Sequence, residues 1–397
     1  MTAKRSVNTR KTTEKKPLFQ HQTGQWAKKI KGRMVYFGAD YDTALATYVQ
    51  ERDEWEAGRN PRKHGKAASR PGCVTLSDVV NSFLAFKERQ VGEGELSQRT
   101  FIDYYKTCIR LIDHFGKSIS VDTLTSADFG RYRDTFPKWS LTTIGREVRQ
   151  TRIVFKFAWD EDLIDRPIKF GQVFREPKKA SKRKQQNQKE ESRGLLEFSA
   201  AEARTLIEAA PVQIKAMMLL GLNCGFGNSD CAKLTTNVVN LKTGWIEYSR
   251  GKTGVKRKCS LWPETIDALR AVADIRPDAE DYTDADLFFL TRYGKPWVRV
   301  QETENTKTGL SMADPLAQEY SKLLKRCGLK RPDVGFYTLR RTFETIAGDT
   351  QDQVAVDVVM GHADESMAAV YRQRVFEPRL KAVSDFVRLW LFGTEAE

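Results

Sequence analysis

Arg340, His362 and Tyr371 combine a permanent cation, an imidazole and a phenol within the last sixty or so residues of the chain. Gathered at one point, these three groups can surround a single phosphate. The guanidinium offers a planar fork of donors to its oxygens, and the imidazole and phenol can each add a hydrogen bond. Nine residues separate His362 from Tyr371. On an unbroken helix that spacing is about 900° of rotation, which puts the two on opposite sides. A break at Gly361 would let them converge. Each residue also has a plainer reading. A tyrosine on an amphipathic helix usually packs, and Gly-His after a helix is often only a C-cap. The joint pattern is much rarer.

The elements that must position these groups lie in YTLRRTFETIAGDTQDQVAVDVVMGHADESMAAVYRQR, residues 337–374. Leu339, Phe343 and Ile346 mark the apolar face of a first helix. Arg340 projects roughly 100° from Leu339, at the edge of that face. Thr350 followed by Gln353 reads as a capping box for a second helix carrying Val354 and Val358. That helix stops at Gly361, since glycine takes a left-handed C-cap cheaply. A third helix starts from Asp364 as N-cap, with Met367 and Val370 on its buried face and Tyr371 beside them.

With LRRTFET (339–345), MGH (360–362) and Tyr371 in this order and spacing, the sequence resembles the tyrosine recombinases, or phage-type integrases. Their catalytic domain ends in His-x-x-Arg, then Gly-His or Gly-Trp, then a nucleophilic tyrosine. Tyr337 stands here where the first histidine is usual. The stretch TGWIEYSRGKTGVKRKCSLW (243–262) reads as a β-hairpin with its tip at Thr253-Gly254, which places Lys252 at the turn. Lys252 matches the family's general acid. The larger departure is at CGFGNSDCAKL (224–234), where the family reads Thr-Gly-Leu-Arg-x-x-Glu. Asp230 matches the acidic residue, but Gly227 holds the arginine's place. Loss of one such donor typically costs about 10²–10³ in rate. Cleavage is then lost, slowed, or supported by another cation, of which Arg250 is the first to test. Tyr337 can donate a hydrogen bond to a phosphate oxygen, but a phenol of ordinary pKa near 10 is a poor proton shuttle at neutral pH.

The resemblance implies transesterification through a 3′-phosphotyrosyl intermediate on Tyr371. Arg340 and His362 would stabilise the phosphoryl oxygens and Lys252 would protonate the leaving 5′ oxygen. Bond energy is kept in the covalent link, so no cofactor, ATP or metal is called for. Two duplexes and four strands imply a homo-tetramer on two DNA sites, and accessory DNA-bending proteins are further candidate partners. Residues 378–392, with Leu380, Val383, Phe386, Val387 and Trp390 on one stripe, suit either docking on a neighbouring subunit or packing on their own domain.

A formal charge of +14 across 397 residues points to a polyanionic partner, and basic residues in folded segments favour double-stranded DNA over a membrane. No run approaches a membrane span and the N-terminus lacks a secretory h-region. Six scattered cysteines and four histidines suggest a reducing compartment and no structural metal site. The expectation is a cytoplasmic, nucleoid-associated protein.

The expected fold is mainly α with small β-hairpins. Residues 1–16 form a basic tail and 17–59 a small α+β arm-type DNA-binding domain. Residues 60–73 are a linker and 74–172 an all-helical, SAM-like core-binding domain. A second linker, 173–195, leads into a mixed, mostly helical catalytic domain, 196–397. In the arm domain, Trp26 to Ile30 and Val35 to Phe37 pair across a Lys31-Gly32 turn, with Lys28, Lys29 and Arg33 as candidate DNA contacts. The following helix carries Leu45, Tyr48, Val49, Arg52 and Trp55 along one side. In the core-binding domain, the helix from Ser140 buries Ile144, Val148, Phe155 and Ala158. Its other face repeats Arg146, Arg149, Arg152 and Lys156, suited to a phosphate backbone. LFFLT (287–291) reads as a short buried strand. Two further readings stay open. One is a catalytically impaired, recombinase-derived DNA-binding protein; the other is a type IB topoisomerase-like enzyme, against which the His362–Tyr371 spacing argues.

Overall fold

The structure, a computed structural model, describes residues 17–56, 73–251, 254–364 and 366–393. The expected basic tail (1–16), nearly all of the first linker (60–73) and Lys252 lie outside them. The chain divides into two compact units. One takes its described residues from Met1–Phe86, Thr107–Pro137 and Val148–Arg175; the other takes Lys87–Lys106, Lys138–Glu147 and Glu176–Glu397. Among the described residues no helix is long and apolar enough to cross a membrane.

The first unit opens with a three-stranded antiparallel sheet of β1 (Phe19–Gln20), β2 (Trp26–Ile30) and β3 (Arg33–Gly38). Lys31 and Gly32 both have positive φ, 44° and 81°, the backbone of a tight two-residue hairpin turn. The register Lys28↔Val35 places Lys28 on the same face as Val35 and Phe37, which pack on helix α1 (Tyr41–Glu56). Along α1 the buried residues are Ala44 and Tyr48, and Val49 is exposed. Leu45 and Trp55 pack partly buried against the same core, so the expected stripe holds except at Val49 and Arg52, which are exposed. Two adjacent apolar residues on a helix leave the seam ambiguous, and Ala44 supplies the close approach to the sheet.

Helices α2 (Leu76–Gly92), α3 (Gln98–Phe115), α4 (Ser126–Asp134) and α5 (Leu141–Asp160) follow. The first unit's helical core is aromatic: Phe129 lies edge-on to Phe155 at 5.4 Å and 5.5 Å from Phe174. Along α5, Ile144, Val148, Phe155 and Ala158 are buried, while Arg146, Arg149, Arg152 and Lys156 are all exposed. Glu147 and Gln150, which break the cationic run in the sequence, turn inward. Gln150 accepts a hydrogen bond from Thr107 at 2.9 Å. The expected second linker holds a helix, α6 (Lys179–Arg193), with no buried residue. Its Lys, Arg, Gln, Glu and Ala are strong helix formers, so backbone propensity suffices without an apolar stripe.

The second unit continues with α7 (Ala200–Ala209), started by a capping box between Ser199 and Glu202, then α8 (Val212–Cys224) and the short α9 (Asn228–Ala232). From Ala216 to Cys224 every residue of α8 is buried, so it is the central helix of the unit. Strands β4 (Val239–Asn240), β5 (Trp245–Ser249) and β6 (Lys256–Ser260) make an antiparallel sheet. Then come α10 (Pro263–Asp274), the hairpin β7 (Arg299–Glu302) with β8 (Leu310–Ala313), and α11 (Pro315–Arg326). Phe288, Phe289 and Leu290 are buried as expected but form no strand. Only single bridges, Thr235↔Leu287 and Leu290↔Pro296, flank them.

The C-terminal helices are α12 (Tyr337–Gly348), α13 (Gln353–Met360), α14 (Met367–Tyr371) and α15 (Glu377–Phe392). Leu380, Val383, Val387 and Leu391 of α15 are buried within this same unit, and the indole N–H of Trp262 donates to the Ser384 carbonyl at 2.9 Å. Of the two roles open to that stripe, the chain adopts self-packing; Phe386 and Leu389 stay outside.

Candidate active site

Arg340 is where the elements meet. Leu339 and Phe343 are fully buried and hold α12 against α8, each burial of this kind stabilising by about 1.5–3 kcal/mol. The approach is close because position 221 is glycine: a Cβ there would lie 3.0 Å from that of Leu339. With the helices this near, Arg340 is not at the edge of the face but inside it, 2% exposed. Its guanidinium donates to the Gly225 carbonyl at the end of α8 and, at 3.0 Å, to the Met360 carbonyl at the end of α13. Both are helix C-termini, whose unpaired carbonyls favour a cation. Burial, with Arg250 and Arg257 close by, pulls the Arg340 guanidinium below the usual arginine range, and Asp230 opposes this.

α13 ends as expected at Gly361, which has φ 65°. It begins differently: Asp352, not Thr350, is the N-cap, accepting from the Ala355 N–H at 3.1 Å. Thr350 instead donates to the Ala347 carbonyl of the preceding helix. The buried face is accordingly Ala355, Val356, Val359 and Met360, with Val354 and Val358 only partly covered. The turn at Gly361 brings His362 back so that its Nε2 lies 2.9 Å from Nη2 of Arg340. A guanidinium can only donate, so Nε2 accepts and the ring proton sits on Nδ1, 3.4 Å from Asp357. Gly361 itself is pressed by its neighbours. A Cβ there would fall 2.6 Å from Cγ of Arg257 and 3.1 Å from Cδ of Arg250. Gly361→Ala is therefore expected to destabilise the fold by about 1–3 kcal/mol through left-handed strain alone, with the packing conflict added. An unchanged urea midpoint would contradict this.

Asp230 organises the other side. One carboxylate oxygen accepts the Gly227 N–H at 2.9 Å, capping α9. Its oxygens also face Arg250 at 3.4 Å, Arg257 at 3.6 Å and Arg340 at 3.8 Å, so three cations converge on one anion. Arg257 was missed by the sequence reading. It is wholly buried, over the Phe226 ring, and donates to Val359, Tyr248 and Cys224. Its signal was the alternation in β6, which puts Arg257 on the same face as the apolar Cys259. The Tyr248 phenol is lifted well above its usual range by its own burial, an effect Arg257 opposes. Tyr337, half-exposed at the start of α12, lies against Gly227, where a Cβ would sit 3.3 Å from its ring. The two departures from the family motif are thus neighbours in space.

Tyr371 ends α14, which is capped by Ser366 rather than by Asp364. It is 76% exposed and makes no hydrogen bond to the described residues. Met367 and Val370, expected to be buried, are also exposed. Periodicity identified a face, but a helix of five residues presents too little surface to bury one unaided. The site thus gathers Arg340, His362, Arg250 and Tyr337, while Tyr371 stands in solvent on the next short helix.

The candidate DNA contacts divide. Lys29 and Arg33 are exposed, whereas Lys28 faces inward with its ammonium 4.4 Å from the Tyr48 ring centre. Along α5, Arg146 lies 3.6 Å from Asp103, Arg152 donates to the Phe174 carbonyl at 2.8 Å, and Lys156 pairs with Asp160.

The fold is that of the tyrosine recombinases. Residues 188–377 match the Phage integrase family, and the domain they form belongs to it. Similar solved structures cover most of the chain. A lambda integrase dimer bound to a COC′ core site has TM-score 0.53 at 14% identity, covering 93% of this chain and 99% of that one. A Tn1549 transposon integrase in complex with transposon right end DNA has 0.52 at 14%, covering 80% and 99%. A lambda integrase tetramer bound to a Holliday junction has 0.52 at 15%, covering 89% and 98%. No curated protein matches the chain.

Proposed function

We propose that this protein is a site-specific DNA recombinase that cuts and rejoins DNA through Tyr371. The observation that carries the reading is the buried Arg340, held between two helix ends and bonded to His362, with an exposed tyrosine nine residues beyond that histidine. The three arginines outnumber the one carboxylate they share, so the region favours an anion. The DNA-bound integrases of like fold, one of them a tetramer on a junction, support double-stranded DNA as substrate and a tetramer on two sites as the working form.

In the proposed reaction the Tyr371 oxygen bonds to phosphorus as the bond to the 5′ oxygen breaks. The phenolic proton leaves to water, and Lys252 protonates the departing oxygen. Arg340 and Tyr337 donate to the non-bridging oxygens, and His362 orients the Arg340 fork. A 5′ hydroxyl from a partner strand then reverses the step. Neither a metal nor a nucleotide is assigned a part. The phosphate backbone would be gripped by Lys29, Arg33 and the exposed cations of α5, Arg149 among them.

Gly227 favours a second reading, in which the chain binds DNA without cutting it. Nicked suicide duplexes drawn from the DNA flanking the gene separate the two. The recombinase reading expects a covalent adduct that survives denaturant; stable binding with no adduct from any such duplex favours the second. Either reading expects affinity to fall by about 10³–10⁵ between 50 and 200 mM salt, as for six to ten phosphate contacts. A salt-independent affinity in a filter-binding series would contradict both.

A further inference from the structure

We infer that Arg250 supplies the second phosphate-directed guanidinium of this site, in place of the arginine that position 227 lacks. The inference rests on the recombinase reading and adds a residue to it. At position 227 a Cβ would lie 3.3 Å from the Tyr337 ring, so that ring stands where a side chain would begin. Arg250 approaches the Asp230 carboxylate from the hairpin. Its Nε lies 3.4 Å from Asp230, and its Cδ packs beside Gly361, the residue before His362.

Its backbone is pinned as well. The Arg250 N–H donates to the Val255 carbonyl and its own carbonyl accepts from Gly254, each at 2.8 Å. The root of the side chain is thereby fixed at the end of the hairpin. Asp230 engages the Nε edge only. The two terminal nitrogens make no hydrogen bond to the described residues, which leaves a planar fork for two phosphate oxygens.

The other arginines nearby are otherwise committed. Arg257 is buried with its donors engaged. Arg372 pairs with Asp364 at 3.1 Å and Arg379 with Asp352 at 2.6 Å. Arg341 is exposed, with its guanidinium 6.0 Å from the centre of the Tyr337 ring. Arg250 is 13% exposed, accessible yet held in place.

Arg250→Ala, Arg250→Lys and the control Arg270→Ala, a surface arginine of α10 paired with Asp267, are compared with wild type in two measurements. One is the rate of adduct formation on the nicked duplexes; the other is the rise in melting temperature with inorganic phosphate, which needs no cleavage. Arg250→Ala is expected to slow the adduct by about 10²–10³ and to lose the phosphate-dependent rise, with unliganded melting and DNA retention near wild type. Arg250→Lys recovers part of both, because it restores charge without the fork, and Arg270→Ala matches wild type. An Arg250→Ala protein that equals wild type in both measurements overturns the assignment. If wild type yields no adduct at all, the recombinase reading fails separately, and the phosphate response alone decides for or against Arg250.

Discussion

Tyr371→Phe is expected to leave no detectable covalent adduct on nicked suicide DNA while retaining the duplex in a gel shift as wild type does. The substitution removes one oxygen from a side chain that is 76% exposed and makes no hydrogen bond to the described residues. A surface change of this kind alters stability by no more than about 0.5 kcal/mol. The chemical consequence is total, since the oxygen is the atom proposed to bond to phosphorus and a phenyl ring has none to offer. Thermal melting and DNA retention monitor the fold, and a denaturing gel with labelled DNA monitors the adduct. An adduct that persists in Tyr371→Phe would move the nucleophile elsewhere.

Arg340→Ala is expected to combine a loss of rate with a loss of stability. Removing a donor aimed at developing charge costs about 10²–10³ in rate. Unlike Tyr371, Arg340 also holds the structure together, bonding the Gly225 and Met360 carbonyls and Nε2 of His362 from a buried position. Stranding buried acceptors costs about 1–3 kcal/mol apiece where water cannot reach them. A lowered melting temperature should therefore accompany the lost cleavage. Arg340→Lys separates the two effects: it keeps the charge but cannot span both helix ends, so it should melt above Arg340→Ala and still cleave poorly. Rapid cleavage by Arg340→Lys would mean that charge alone suffices and the fork is dispensable.

The contrast between these residues marks what could be read from the chain. Leu339 and Phe343 declared the buried face of α12, and Gly361 declared the end of α13, because each follows from local geometry alone. Arg340 was placed one position too far out, because its burial depends on Gly221 admitting α12 close to α8, a contact between segments over a hundred residues apart. Met367 and Val370 carry a helical pattern that no neighbouring element covers. Phe288 and Phe289 are as buried as a strand would be, but burial does not dictate pairing. Asp230 was legible only as an acidic residue in a motif. That it faces three arginines, one just after β5, one in β6 and one in α12, required the fold.

Gly227 and Tyr337 illustrate a different limit. Each reads as a separate departure along the chain, 110 residues apart. In the folded domain the ring of one covers the bare backbone of the other. Paired substitutions of this sort are invisible to spacing.

The central claim is that a phenolic oxygen on α14 takes the DNA phosphate, and mass spectrometry of the proteolysed adduct tests it most directly. The account predicts one DNA-linked peptide, containing Tyr371 esterified to a 3′ phosphate, with a free 5′ hydroxyl on the released strand. A linkage to any other residue, or a 5′ phosphate on the bound strand, would contradict it.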